Sequence, residues 1–240
     1  MPVIFEDTFT EAVNTDLSAH TPSPTGTSWT LLVQDTTLVL RVLAASDTVA
    51  ASSTDTTGGL AYTAQPAAST PEYDVQADIA AVATSSEDSW ILLARVVDAD
   101  NMYGIGIYPN AAAANMKMWK QVANVVTELA SGDFDVTAGD TMKFEIRDAA
   151  KKLYQNGVER LSTADNALTA AGSGGIAVGR IFVAVDDIRL NIPSFDNFII
   201  TEVEAGGGEP APVTAAPSFR KSLSGLGTRT GARIMQGTPC

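Results

Sequence analysis

The sequence predicts an all-β fold, an antiparallel two-sheet jelly-roll sandwich, followed by a non-globular C-terminal tail. Short segments alternate between apolar and polar residues and are separated by turn signals every 8–12 residues or so, the usual spacing of sandwich strands. No long segment has a helical pattern. Hydrophobic residues make up 45% of the chain and charged residues only 18%, a composition typical of strand-and-turn proteins.

The clearest predicted strand is 141–148. Its alternating side chains place one set in a core and the other in water: Met142, Phe144 and Ile146 against Lys143, Glu145 and Arg147. The Asn156-Gly157 pair favours a two-residue turn, so 152–155 and 158–161 are predicted to form a hairpin.

The nearly all-apolar run 90–97 is typical of a central strand. After a turn at 98–101, the segment 102–108 returns beside it, with Gly104 and Gly106 facing away from Tyr103. A second predicted hairpin turns at Asn124. The remaining predicted strands are 4–9, 29–33, 38–44, 60–63, 73–82, 115–123, 125–129, 176–178, 181–185 and 195–203.

Two segments are predicted to be irregular. The Ala-rich run 109–114 is interpreted as a loop or a single helical turn. The Gly-rich segment 172–175 is interpreted as a turn, because a phosphate-binding loop would need a following lysine and helix.

Charge divides the chain into three parts. Residues 1–204 form the predicted sandwich, 205–217 a Gly/Pro linker and 218–240 a basic tail. Residues 205–240 carry a net +3, which leaves −16 for residues 1–204. We expect so acidic a body to repel nucleic acid and anionic membrane, and we find no apolar run of about 18 residues that could span a bilayer.

The tail has too little apolar area to fold alone, so it is predicted to order against a partner. Its predicted docking residues are Phe219, Arg220, Lys221, Arg229, Arg233 and Ile234. An ordinary disordered tail remains the alternative. The lone cysteine, Cys240, excludes an intrachain disulfide.

Several segments together resemble the concanavalin A-like lectin/glucanase superfamily, in its laminin G-like form. Residues 5–9, Phe-Glu-Asp-Thr-Phe, resemble the opening strand, and 90–107 the central hairpin. Residues 142–158 resemble the paired strands that end in Asn-Gly, and 195–201 the closing strand, which lies beside the first. The resemblance covers residues 3–204 and implies the fold more than any function.

The residue pattern does not favour an enzyme. Retaining hydrolases of this superfamily carry Glu-x-Asp-x-x-Glu on one strand, a pattern missing here. Lys143 and Arg147 share a face with Glu145 and would keep it ionised, which does not suit a general acid. His20 is the only histidine and is predicted to lie exposed in a loop. The adjacent acids 87–88 and 186–187 would point to opposite faces or lie in turns.

No cofactor is required by the sequence, but a structural calcium ion is possible in so acidic a body. By resemblance, Glu6, Asp7 and Asp196 occupy the place where the first and last strands meet and where family members often hold Ca²⁺. Asp98, Asp100 and Asn101 form a second acidic turn. Ordinary strand-end and turn carboxylates are the alternative.

Candidate contacts for a carbohydrate or a partner lie in strand 115–123. Met116 and Met118 share one face and Lys117, Trp119 and Gln121 the other. If the methionines face the core, Trp119 is exposed between two polar neighbours, as in a sugar site. Tyr103 and Tyr108 are further candidates. Packing of the tryptophan is the alternative.

Two functional hypotheses follow. In the first, the chain is a non-catalytic structural protein of a bacteriophage virion, made in the host cytoplasm without a signal peptide. Its tail would bind a capsid or other virion protein, and homo-oligomeric copies would display the sandwich on the virion surface, where it could contact glycans. In the second, it is a free carbohydrate-binding module or lectin, with calcium as a possible ligand.

Overall fold

A computed structural model describes residues 1–34, 39–52, 59–82, 89–108, 115–179 and 194–203. In chain order its strands are β1 (Val3–Asp7), β2 (Thr15–Asp16), β3 (Pro24–Thr25), β4 (Ser28–Gln34), β5 (Val39–Leu43), β6 (Thr48–Ser52), β7 (Gly59–Gln65), β8 (Tyr73–Ala81), β9 (Trp90–Asp98), β10 (Asn101–Ile107), β11 (Met116–Val122), β12 (Val125–Gly132), β13 (Thr141–Arg147), β14 (Ala150–Gln155), β15 (Val158–Ala164), β16 (Ser173–Gly179) and β17 (Ser194–Glu202). A 3-10 helix, Leu17–Ala19, follows β2.

The strands form two antiparallel sheets packed as a sandwich, as the sequence predicts. The ten-stranded sheet runs β15-β14-β13-β8-β17-β6-β5-β2, with β1 paired to β17 and β3 to β1. The seven-stranded sheet runs β12-β11-β10-β9-β16-β7-β4. Pairing of β1 with the closing strand β17 agrees with the predicted neighbourhood of first and last strands.

The main core lies between the sheets and takes one face of each. The alternation in β13 is confirmed, since Met142, Phe144 and Ile146 are fully buried. Trp90 and Met118 enter the same core from the seven-stranded sheet. Removal of this apolar surface from water provides the main driving force for the fold.

Two predicted hairpin turns have the left-handed backbone their residues suggest. Asn156 and Gly157 have φ values of +52° and +77°, which fits a type I′ turn between β14 and β15. Ala123 and Asn124 have φ values of +48° and +62° between β11 and β12. Both predicted hairpins are therefore confirmed.

The prediction was wrong at 172–175, which begins a strand and not a turn. Gly175 lies between Leu93 and Thr63 in the sheet. A Cβ there would be 2.2 Å from the Tyr62 carbonyl oxygen, and one on Gly174 would be 2.7 Å from Ile200. The glycines permit close approach of neighbouring strands and of the two sheets.

The sequence prediction also missed β2, β3 and β6. Segments 109–114 and 181–187, the acids 87–88 and residues 204–240 lie outside the described residues. None of the helical residues that the structure describes forms a segment long and apolar enough to cross a bilayer.

Candidate functional site

The outer face of the seven-stranded sheet, which points away from the main core, is apolar where an exposed sheet would be polar. A second cluster of buried side chains lies on it: Ala61, Ile91, Leu93, Val96, Met102, Trp119 and Ala177. Four of the five predicted carbohydrate-contact residues lie on a strand of this face or directly after one. We therefore take this outer face as the candidate site.

Trp119 lies on β11 directly opposite Gly104 of β10. A Cβ built on Gly104 would be 2.1 Å from Cζ2 of the indole, so the ring occupies the space that a side chain at position 104 would need. The Met face of β11 is core, yet Trp119 is not exposed: only 4% of the residue is accessible, so the alternative of a packed tryptophan is the correct one.

Tyr108 repeats this arrangement one step along the same face. A Cβ on Gly106 would lie 2.7 Å from Cε2 of the Tyr108 ring. The backbone N–H of Tyr108 donates to the Asn115 carbonyl at 2.7 Å. This bond holds the backbone from which the Tyr108 ring extends. Burial raises the pKa of the phenol, and the negative charge of Glu128 raises it further. Tyr108 is half-buried.

Charged groups form the open rim of this face. Lys117 lies opposite Gly106, and its Nζ is 3.6 Å from Glu128 Oε2. Their side chains are 41% and 50% exposed. Glu128 in turn lies opposite Trp119 in the β11–β12 pair, so the ion pair borders the indole. The sequence analysis missed Glu128, although the Asn124 turn fixes its register.

Gln121 completes the row and is buried, with 1% accessibility. Its Nε2 donates to the Ala99 carbonyl at 2.9 Å and to Asn124 Oδ1 at 3.3 Å, and so joins two hairpin turns. Its Oε1 is buried and has no hydrogen-bond partner among the described residues. A buried acceptor without a donor is costly and uncommon in folded proteins.

Tyr103 does not belong to the site, so its assignment there is corrected. It faces the main core and is fully buried. Its hydroxyl donates to Asp165 Oδ1 at 2.6 Å and accepts from the backbone N–H of Leu168 at 3.2 Å. Lys120 pairs with the other carboxylate oxygen of Asp165. These contacts hold the segment after β15 against the end of the sandwich.

Two buried cations reinforce that segment. Lys151 is fully buried, and its Nζ donates to the carbonyls of Asp148 at 2.6 Å and Asp165 at 2.9 Å. Burial lowers its pKa to about 8, helped by the positive charge of Arg95. Arg95, in the left-handed region with φ +47°, donates to the carbonyls of Pro71 at 2.9 Å and Leu168 at 2.6 Å.

The proposed calcium ligands do not come together. Asp7 is fully buried: Oδ1 accepts from the Phe9 backbone at 2.9 Å and from His20 Nε2 at 2.9 Å, and Oδ2 accepts from Trp29 Nε1 at 2.6 Å. Protein donors therefore use both of its oxygens. Within the described ranges, no group of three or more His, Cys, Asp or Glu could hold a metal ion.

The other acids named for calcium have separate surroundings. Glu6 pairs with Ile199 in the β1–β17 ladder. Asp196 lies opposite Asp78 in β8, and its pKa is raised by burial and by the charges of Asp78, Asp47 and Asp7. Asp98 Oδ1 accepts from the Asp100 backbone and from Asn101 Nδ2, both at 2.8 Å, an ordinary turn arrangement.

His20 is buried, with 3% accessibility, and the prediction of an exposed loop residue was wrong. Its Nδ1 lies 2.6 Å from Glu11 Oε1 and its Nε2 2.9 Å from Asp7 Oδ1. Burial alone would lower the pKa of His20, but the two carboxylate hydrogen bonds and charges outweigh it and raise the value above 6.5. Because both partners are carboxylate oxygens, which only accept, each ring nitrogen donates when the imidazole is protonated.

The predicted docking residues of the tail, Phe219 to Ile234, lie outside the described residues. What the described site offers is a rim of hydrogen-bonding groups beside two aromatic rings that rest on glycines. Such a combination of aromatic surface with a few polar groups is typical of small-molecule binding sites.

No family model matches the chain, and no curated protein is similar to it in sequence. Solved structures are similar in fold. The carbohydrate-binding module CBM66 from Bacillus subtilis superposes with a TM-score of 0.53 at 18% identity, covering 74% of this chain and 97% of that one.

A galectin-like protein of unknown function from Bacillus subtilis gives a TM-score of 0.55 at 9% identity, with 80% and 96% coverage. A β-1,3-1,4-glucanase (lichenase) from a mouse hindgut metagenome gives 0.54 at 10% identity, with 79% and 97% coverage. The chain thus has the galectin-like, concanavalin A-like jelly-roll fold, which carbohydrate-binding modules, lectins and glucanases share.

Proposed function

We propose that this chain is a non-catalytic carbohydrate-binding module whose saccharide contacts the outer face of the seven-stranded sheet. The observation that carries the proposal is the packing of Trp119 and Tyr108 onto Gly104 and Gly106. The glycines let two rings lie along one strand face, and the Lys117–Glu128 pair supplies polar contacts beside them. Sugar rings bind through apolar faces and hydroxyl edges, which this pairing of groups matches.

The accessible part of the site determines how contact would occur. Trp119 is nearly covered and acts as a rigid backing that fixes the face. Tyr108, Lys117 and Glu128 are open to different degrees and make the first contacts. Side chains already held by packing lose little conformational entropy on binding, which favours affinity from a small contact area.

The carboxylate arrangement supports binding over hydrolysis. Glycoside hydrolysis generally uses two carboxyl groups about 5–10 Å apart. Among the described side chains beside Lys117 and Trp119, Glu128 supplies one carboxylate. That carboxylate is paired with Lys117. A binding role requires no second acid.

Binding to immobilised polysaccharides tests the proposal. Tyr108→Ala should weaken retention at least 10-fold, because it removes the accessible ring. Tyr154→Ala is the matched control: this half-buried tyrosine lies on the ten-stranded sheet, beneath Lys143 Nζ at 4.6 Å from the ring centroid. Equal retention of the two variants and the wild type would contradict the proposed site.

A second proposal, attachment to a virion, is supported by the division of charge in the sequence, −16 in residues 1–204 and +3 in 205–240. A basic segment favours an acidic partner surface. Deleting 205–240 should leave the unfolding of the sandwich unchanged and remove the chain from purified virions. Retention of the truncated chain on virions would overturn this proposal.

A further inference from the structure

The charge of a bound saccharide can be inferred from where the cations of the sandwich lie. Lys117 is the cation that the described residues place on the outer face of the seven-stranded sheet, and Glu128 is its partner at 3.6 Å. An anionic sugar would have to take Lys117 away from Glu128 and then face that carboxylate unpaired.

The other described cations contact groups away from this outer face. Lys120 pairs with Asp165, and Arg95 and Lys151 are buried on backbone carbonyls. The remaining ones contact groups of the ten-stranded sheet or its flanking segments: Arg41 with Asp16, Lys143 and Arg147 with Asp74, Lys152 with Glu159, and Arg160 with Gln155 and Phe134.

The hydrogen-bonding groups of this face point to the same conclusion. The Glu128 carboxylate only accepts hydrogen bonds, and its side chain is 50% exposed. Saccharide hydroxyl groups can donate to it. Sugar carboxylates and sulfates are anionic acceptors, so beside Glu128 they would add repulsion.

We infer that the saccharide is uncharged, a neutral glycan whose hydroxyl groups donate to Glu128; this inference rests on the proposed function. The net charge of −16 on residues 1–204 acts in the same direction at longer range, since it disfavours the approach of polyanions.

Two panels of polysaccharides test the inference on the full chain. The neutral panel is arabinan, levan, galactan and mixed-linkage β-glucan, and the anionic panel is polygalacturonate, alginate and heparin. Affinity electrophoresis and calorimetry at about 20 and 300 mM NaCl should show binding within the neutral panel, with affinity changed less than about 2-fold by salt, because screening affects ionic contacts.

Two substitutions test whether Glu128 makes the proposed contact with the saccharide. Glu128→Gln should weaken neutral-glycan binding about 5- to 10-fold by removing a charged acceptor. Glu159→Gln is the matched control, since Glu159 is a 41% exposed glutamate paired with Lys152 at 2.9 Å on the other sheet, and it should leave binding unchanged.

The outcomes separate the two proposals. Salt-sensitive binding of the anionic panel alone would overturn the inference and leave carbohydrate binding standing. Binding of neither panel would overturn both. Neutral binding that Glu128→Gln and Glu159→Gln affect equally would contradict the role of Glu128 as the hydroxyl acceptor.

Discussion

The indole ring of Trp119 rests on Gly104 of the neighbouring strand, so closely that a Cβ at position 104 would lie 2.1 Å from Cζ2. The indole can lie flat across β10 because position 104 has no side chain. The same glycine also lies opposite Leu93 of β9. Gly104 therefore lies between Trp119 and Leu93, two members of the buried cluster on the outer face.

Gly104→Ala should displace the indole and destabilise the protein by about 1–3 kcal/mol, the usual cost of overpacking. Urea unfolding measures the effect. In the Trp119→Ala background the same change should cost less than about 1 kcal/mol, because the clash is gone. Equal costs in both backgrounds would show that the ring does not occupy this space.

The faces of β10 and β11 followed from alternation alone. Met116 and Met118 were predicted to share one face and Trp119 the other, and the structure shows the methionine face in the core. Exposure could not be predicted in this way, because alternation gives the direction of a side chain and not what covers it. Trp119 packs on Gly104, 15 positions earlier in sequence, and belongs to a buried cluster formed by residues of several strands.

Two further differences have similar physical causes. Arg95 has φ +47° and lies in β9 where the β9–β16 register shifts. A single arginine in an otherwise apolar run does not by itself mark a bulge. His20 looked exposed because its neighbours are polar and proline-rich. Its burial depends on Asp7, 13 residues earlier, and on Phe9, whose ring centroid is 6.2 Å from the imidazole.

The stability contributed by His20 should fall as pH rises. Its folded-state pKa lies above 6.5, so above pH 6.5 the folded chain retains more protons than the unfolded chain. The contribution is complete below pH 6.5 and is lost through the folded-state pKa. Because the chain has one histidine, NMR titration of the imidazole protons reports this pKa directly.

His20→Gln should cost about 3 kcal/mol at pH 6, because it leaves buried Asp7 without its charged donor. The cost should be smaller at pH 9, where His20 is itself closer to neutral. Denaturant midpoints of both proteins at the two pH values provide the comparison. A cost independent of pH, with a titration midpoint at or below 6.5, would contradict the doubly bonded imidazolium.

Tyr103→Phe should preserve the core and loosen the segment it anchors. The substitution removes the hydrogen bonds to Asp165 and from Leu168 N–H, and we expect a loss of about 1–2 kcal/mol. Amide hydrogen exchange should accelerate at residues 165–168. Tyr154→Phe is the control and should leave exchange there unchanged; acceleration in both variants would point to a global effect.

Lys151 has the opposite pH dependence from His20, because its charged form is disfavoured in the fold. Burial lowers its pKa from 10.5 to about 8. Between these values the unfolded chain binds more protons, so stability should increase with pH, by up to about 3 kcal/mol. Lys151→Met should abolish this increase, whereas Lys152→Met, which alters the adjacent lysine with a side chain 36% exposed, should retain it. Guanidinium unfolding at pH 7.5, 9 and 10.5 tests the contrast, and parallel curves for wild type and Lys151→Met would mean that Lys151 keeps an ordinary pKa despite its burial.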